Sequence, residues 1–210
     1  MIILKKPFKK YLVGSIALFL VLPVICDVLT FYTKIADHAV SFSFVSSLGI
    51  FSLAAGATIL IIVSARYDIK KSFWVAIPFL IYEALIIIYS IIINQEPITA
   101  ASFTLMILLP VISPLTIILV AKLLIKLFKN EMLLVLTVVA ALFFINIVYR
   151  YFYIAMTNYS YGTHLTFSLN SFKLPLIHSA DMLASYFLLM LIAKRHQVKE
   201  WILHVFARCK

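Results

Sequence analysis

The chain has 210 residues, 64% of them hydrophobic and 12% charged, with a formal charge of +10 and a mean hydropathy of +1.11. A soluble domain is about 45–50% apolar and about 25% charged, so this chain cannot cover a globule of its size with solvated side chains, and its apolarity also excludes disorder. The apolar residues come in runs rather than in alternation, which excludes a transmembrane β-barrel and leaves an all-α polytopic membrane protein.

A helix needs about 20 apolar residues to cross roughly 30 Å of hydrocarbon. Six segments reach that length: residues 11–33, 44–64, 73–93, 103–125, 132–151 and 174–193. In lipid each run must pair its own backbone groups, so each predicts a helix. Residues 1–193 then form one six-helix transmembrane domain, with an outer loop over 152–173, and 194–210 form a tail. The first run is longer than a signal-peptide core and no small-residue cleavage site follows it, so it reads as a retained span.

Span one carries Pro23, Cys26 and Asp27. At 1.5 Å per residue Asp27 lies about 24 Å from the entry of its helix, near the outer interface. Span two carries Gly49, Ser52 and Gly56, a small-residue face that lets another helix approach closely, either within the bundle or between copies in a homo-oligomer. Span three holds Pro78 and Glu83. Counted from residue 73, Glu83 sits about 15 Å up its helix, near the midplane, with no cation at its depth. A charge in lipid is costly and marks a functional position or a protonated, hydrogen-bonded carboxyl.

Span four contains Pro110 and Pro114, one turn apart, beside Ser113 and Thr116. A proline frees the carbonyl four residues back, so span four is expected to be kinked or partly unwound. Broken helices line substrate sites in transporters. Together with Glu83, Ser113 and Thr116 this outlines an ion or proton pathway.

Span five ends at Asn146 and Arg150, and span six carries His178 and Asp181. By depth, Asp27, Arg150, His178, Asp181 and Asn146 share the outer leaflet, where Arg150 would neutralise the carboxylates. His178 and Asp181 share a helix face, and His164 or Asp27 could complete a metal set, but this falls short of a metal site. No metal and no cofactor are assigned, and no catalytic signature accompanies these residues. The outer loop is aromatic and polar. Residues 164–170 alternate as a short strand or an interface-lying segment would, and Asn158-Tyr159-Ser160 matches a glycosylation triplet.

Of the eighteen Lys and Arg residues, fifteen fall on the side of the two termini and three (Lys34, Arg150, Lys173) on the other. The positive-inside rule puts both termini in the cytoplasm, and an even number of spans preserves the asymmetry. The tail repeats Val198, Trp201, Ile202 and Val205 at helical spacing, with Lys194, Arg195, Lys199 and Arg208 around them. It reads as a short basic amphipathic helix on the anionic inner leaflet or on an acidic partner. It is too short for direct nucleic-acid binding.

Three functions compete. The leading expectation is a non-enzymatic scaffold or sensor in the bacterial cytoplasmic (inner) membrane, oligomeric and engaging a cytosolic protein through its basic face. The membrane subunit of an anti-phage defence system and an immunity protein are examples of that class. The alternative is a channel or small-solute or ion transporter using Glu83 and the Pro110/Pro114 kink. The third is an intramembrane enzyme with an outer-leaflet Asp/His site.

Overall fold

The computed structural model describes residues 8–35, 39–93, 109–128, 130–161 and 164–193. The basic tail 194–210 and the start of the fourth span, residues 103–108, lie outside the described residues. Within them every regular element is helical: α1 (Phe8–Ile16), a π-helical turn (Ala17–Val21), α2 (Leu22–Ile35), α3 (Ala39–Arg66), α4 (Ile69–Ile93), α5 (Leu109–Leu124), α6 (Glu131–Tyr161), a 3-10 turn (Leu169–Phe172) and α7 (Lys173–Ala193).

Five helical segments are long and apolar enough to cross a membrane: Phe8–Tyr32, Phe44–Arg66, Ile69–Tyr89, Met132–Tyr159 and Leu169–Ile192. Val111–Leu124 is a shorter apolar helix. Their outward faces stay apolar, with Leu119 64% and Phe144 65% exposed. Side chains of that kind are at ease against lipid and not against water, so the chain has the build of a helical membrane protein.

α3 is the hub. It packs against α1, α2, α4, α5, α6 and α7, and its consecutive residues Leu60, Ile61, Ile62 and Val63 are all buried. A helix apolar all round is a central helix. Thr58 Oγ1 lies 3.1 Å from the Met182 carbonyl of α7 and 3.0 Å from that of Ala54 on its own helix, so the buried hydroxyl is satisfied.

The small face of α3 is occupied within the chain. A Cβ at Gly49 would lie 3.2 Å from Cys26 Cβ, and one at Gly56 would lie 2.6 Å from the Phe19 ring. Ser52 Oγ donates to the Leu18 carbonyl at 3.0 Å. The glycines admit the first span, so this face is not open to a second copy.

Helix ends depart from the expected spans for local reasons. α4 starts at Ile69 because Asp68 caps it, its Oδ1 accepting the Lys71 N–H at 2.8 Å. Asn130 accepts from the Met132 N–H in the same way before α6. α6 continues ten residues past the expected end of span five, to Tyr161. Hydropathy falls after Tyr151, but no glycine or proline interrupts the helix before Gly162. Much of the expected outer loop is therefore helix.

The alternating stretch 164–170 is not a strand: residues 164–168 have no regular structure and Leu169–Phe172 is a 3-10 turn. Ser168 and Ser171 close that turn with a reciprocal capping box. The Asn158 amide clamps Leu165, donating to its carbonyl and accepting from its N–H, both at 2.8 Å.

Proline is handled differently in two spans. Pro23 cannot donate to the residue one turn back, and the chain widens into the π turn Ala17–Val21, whose end is marked by Leu22 N–H bonding to the Ala17 carbonyl. α5 is instead continuous through Pro114 from Leu109 to Leu124. The expected partial unwinding around Pro114 is therefore absent from the described residues. Thr116 Oγ1 bonds back to the Ile112 carbonyl at 2.9 Å beside it.

One end of the bundle is tied together at Tyr67. Its ring meets Phe8 and Tyr11 of α1 edge-on, with centroids 5.5 and 6.3 Å away. Arg66 and Lys71 lie over it, and Lys122 of α5 donates to its carbonyl. The start of α1, the α3–α4 turn and the end of α5 therefore lie together, as alternating spans require.

Candidate functional site

The bundle holds a half-open cavity of about 360 Å³ bordered by α3, α4, α5, α6, α7 and the π turn. Each helix contributes at its own period. From α6 come Asn146, Tyr149, Arg150 and Tyr153, spaced i, i+3, i+4 and i+7, which is a polar stripe on one helix face. α7 contributes Pro175, His178 and Met182, α4 Phe79 and Glu83, and α5 Ser113, Pro114 and Thr116. The floor is apolar: Leu53, Ala54 and Ala57 of α3, Phe19 of the π turn, and Leu142.

Two polar groups that depth along the helices had kept apart thus meet in one place. Glu83, Ser113 and Thr116 share the cavity with Asn146, Arg150 and His178. The expectation that no cation shares the level of Glu83 is corrected. Arg150 of α6 and His178 of α7 line the same cavity as Glu83 of α4.

The five-residue outer-leaflet network is not assembled. Tyr82 Oη donates to Asp27 Oδ2 at 2.9 Å, and neither Asp27 nor Asp181 lines the cavity. Asp181 lies one turn along α7 from the cavity-lining His178 without lining the cavity itself. Depth gives the level of a residue but not its direction around the bundle. Asp27, His178 and Asp181 therefore do not form one catalytic group, and among the described residues no three His, Cys, Asp or Glu side chains gather as a metal set.

Arg150 is held by packing. Its guanidinium lies over the Tyr153 ring, 5.0 Å from the centroid, and its Nε is buried with no hydrogen-bond partner among the described residues. A buried donor of that kind costs free energy until an acceptor reaches it. Tyr149 Oη and Thr116 Oγ1 hydrogen bond at 2.9 Å across α5 and α6, fixing the wall between them. No ion pair joins Glu83 to Arg150 or His178 among the described residues.

Tyr149, Tyr153, Phe19 and Phe79 escaped the sequence reading. For the tyrosines a signal existed, the helical stripe through Asn146 and Arg150, cut short because span five was ended at residue 151, before Tyr153. The two phenylalanines carry no signal in a chain with 17 of them. Comparison with protein families, with curated proteins and with solved structures finds no match to this chain.

Proposed function

We propose that the protein is a six-span membrane protein, with both termini in the cytoplasm of a bacterial cell, that binds and passes a small polar solute through the cavity between its helices. One observation carries the reading: a cavity of about 360 Å³ lined by Glu83, Arg150 and His178 from three different helices. Small-molecule sites are of this size, about 300–1,000 Å³, with apolar walls and a few convergent polar groups. Ionisable residues inside a membrane bundle face such pathways. The fifteen-to-three distribution of cations supports the orientation.

Osmotic swelling of proteoliposomes in a panel of small ions, sugars and amino acids tests the function. At least one solute should enter faster through the wild-type protein than through Glu83→Gln, with the variant still folded. Equal entry for every solute would remove the transport reading.

A second reading is favoured by the tail sequence, which places five cations beside a Val198, Trp201, Ile202 and Val205 stripe. In it the protein is a non-enzymatic scaffold, homo-oligomeric, that engages a cytosolic protein through its basic face. Residues 194–210 lie outside the described residues, so no contact of theirs supports it. Truncation after Ala193 should then release a co-purifying soluble protein and leave the bundle intact.

A further inference from the structure

We propose that the solute is a compact zwitterion with an apolar part: one ammonium group, one anionic oxygen group and a short hydrocarbon moiety. The assignment rests on the reading of the cavity as a solute site and adds the chemical class.

Three features lead to it. The cavity holds opposite charges that form no ion pair with each other. Glu83 comes from α4 and Arg150 from α6, and no ion pair joins them among the described residues. The guanidinium is already fixed on Tyr153, with a buried Nε that lacks an acceptor. Much of the remaining wall, including Phe19, Phe79 and Leu142, is apolar, with Ser113, Thr116 and Asn146 as neutral polar groups among it.

A half-buried carboxylate and a half-buried guanidinium each carry a partial desolvation cost, which an opposite charge offsets. A ligand with both charges compensates both walls at once. A singly charged ligand compensates one and leaves the other bare, and a neutral ligand compensates neither. Charge pairing therefore selects the zwitterion, and the aromatic and aliphatic floor selects a hydrocarbon group beside it.

Two sources carry this chemistry, a free neutral amino acid and the headgroup of a phosphatidylethanolamine. Thermal unfolding of the full chain in detergent separates them. The probes are leucine, its singly charged analogues N-acetyl-leucine and leucine methyl ester, dihexanoyl-phosphatidylethanolamine, and the anionic dihexanoyl-phosphatidylglycerol. Leucine or the phosphatidylethanolamine should bind at least about tenfold tighter than the singly charged probes, a difference of about 1.4 kcal/mol. Glu83→Gln should shift the preference toward N-acetyl-leucine, and Arg150→Gln toward the methyl ester. Ala57→Leu, which fills the cavity without touching a charge, should abolish every shift.

Equal affinities, or a preference for a singly charged probe in the wild-type chain, would overturn the assignment. If that singly charged preference is lost in Ala57→Leu, the solute site stands and only its class falls. If no probe shifts unfolding, the zwitterion assignment falls, and labelling of Ser113→Cys decides the site itself: a reachable thiol keeps the cavity as a pathway, and a sealed one removes it.

Discussion

Tyr82 Oη donates a 2.9 Å hydrogen bond to Asp27 Oδ2, and the next residue along α4 is Glu83, which lines the cavity. The pair ties α2 to α4 while the neighbouring carboxyl lines the cavity. Tyr82 is buried, so Tyr82→Phe removes a hydrogen bond with little change of shape. It should cost about 1 kcal/mol, read as a lower unfolding temperature in detergent, and Asp27→Asn in the same background should add less than it does alone. Additive effects of the two changes would show that the pair does not couple.

Gly56 is the tightest of the described glycine positions, with the Phe19 ring 2.6 Å from the position of an added Cβ. Gly56→Ala should destabilise the bundle by about 1–3 kcal/mol, and Phe19→Leu should recover part of that loss. Gly49→Ala, facing Cys26 Cβ at 3.2 Å, should cost less. Thermal unfolding of these variants checks the order, and a milder effect at Gly56 than at Gly49 would contradict the packing.

The Thr116–Tyr149 bond joins α5 to α6 at 2.9 Å. Interhelical hydrogen bonds in membrane bundles average about 0.6 kcal/mol, so a double-mutant cycle of Thr116→Val and Tyr149→Phe should give a coupling of that order. The stability change is small, but the cavity wall loosens, and solute entry should change more than stability does. Unaltered entry with the expected coupling would make the bond purely structural.

Asp68 caps α4 through the Lys71 N–H. Asp68→Ala should cost about 1 kcal/mol and raise hydrogen exchange in the first turn of α4, whereas Asp68→Asn should keep protection. The ion pair with Lys71, 3.9 Å and well exposed, contributes little, and Lys71→Met should leave the exchange of that turn unchanged.

Much of this was legible in the residues. Runs of apolar side chains marked the helices because backbone pairing in lipid leaves few alternatives. Glu83, Ser113, Thr116, Asn146, Arg150 and His178 stood out because polar groups are rare there. What sequence could not supply was direction. Asp27 and Arg150 have compatible depths, yet Asp27 pairs with Tyr82 and Arg150 faces the cavity. That choice is made by Phe19 seated on Gly56, more than thirty residues away in sequence, and by the π turn ahead of Pro23. The length of α6 was missed for a different reason: hydropathy reports where lipid ends, not where a helix does.

Access to Ser113, on the cavity wall of α5, tests the solute pathway most directly. In a chain carrying Cys26→Ala and Cys209→Ser, the single thiol of Ser113→Cys is exposed to a small, membrane-impermeant thiol reagent in right-side-out and in inverted vesicles. A pathway through the cavity predicts labelling from both sides, slowed when Glu83 is replaced by a larger side chain. A thiol that reacts from neither side would make the cavity a closed internal void and contradict the proposed function.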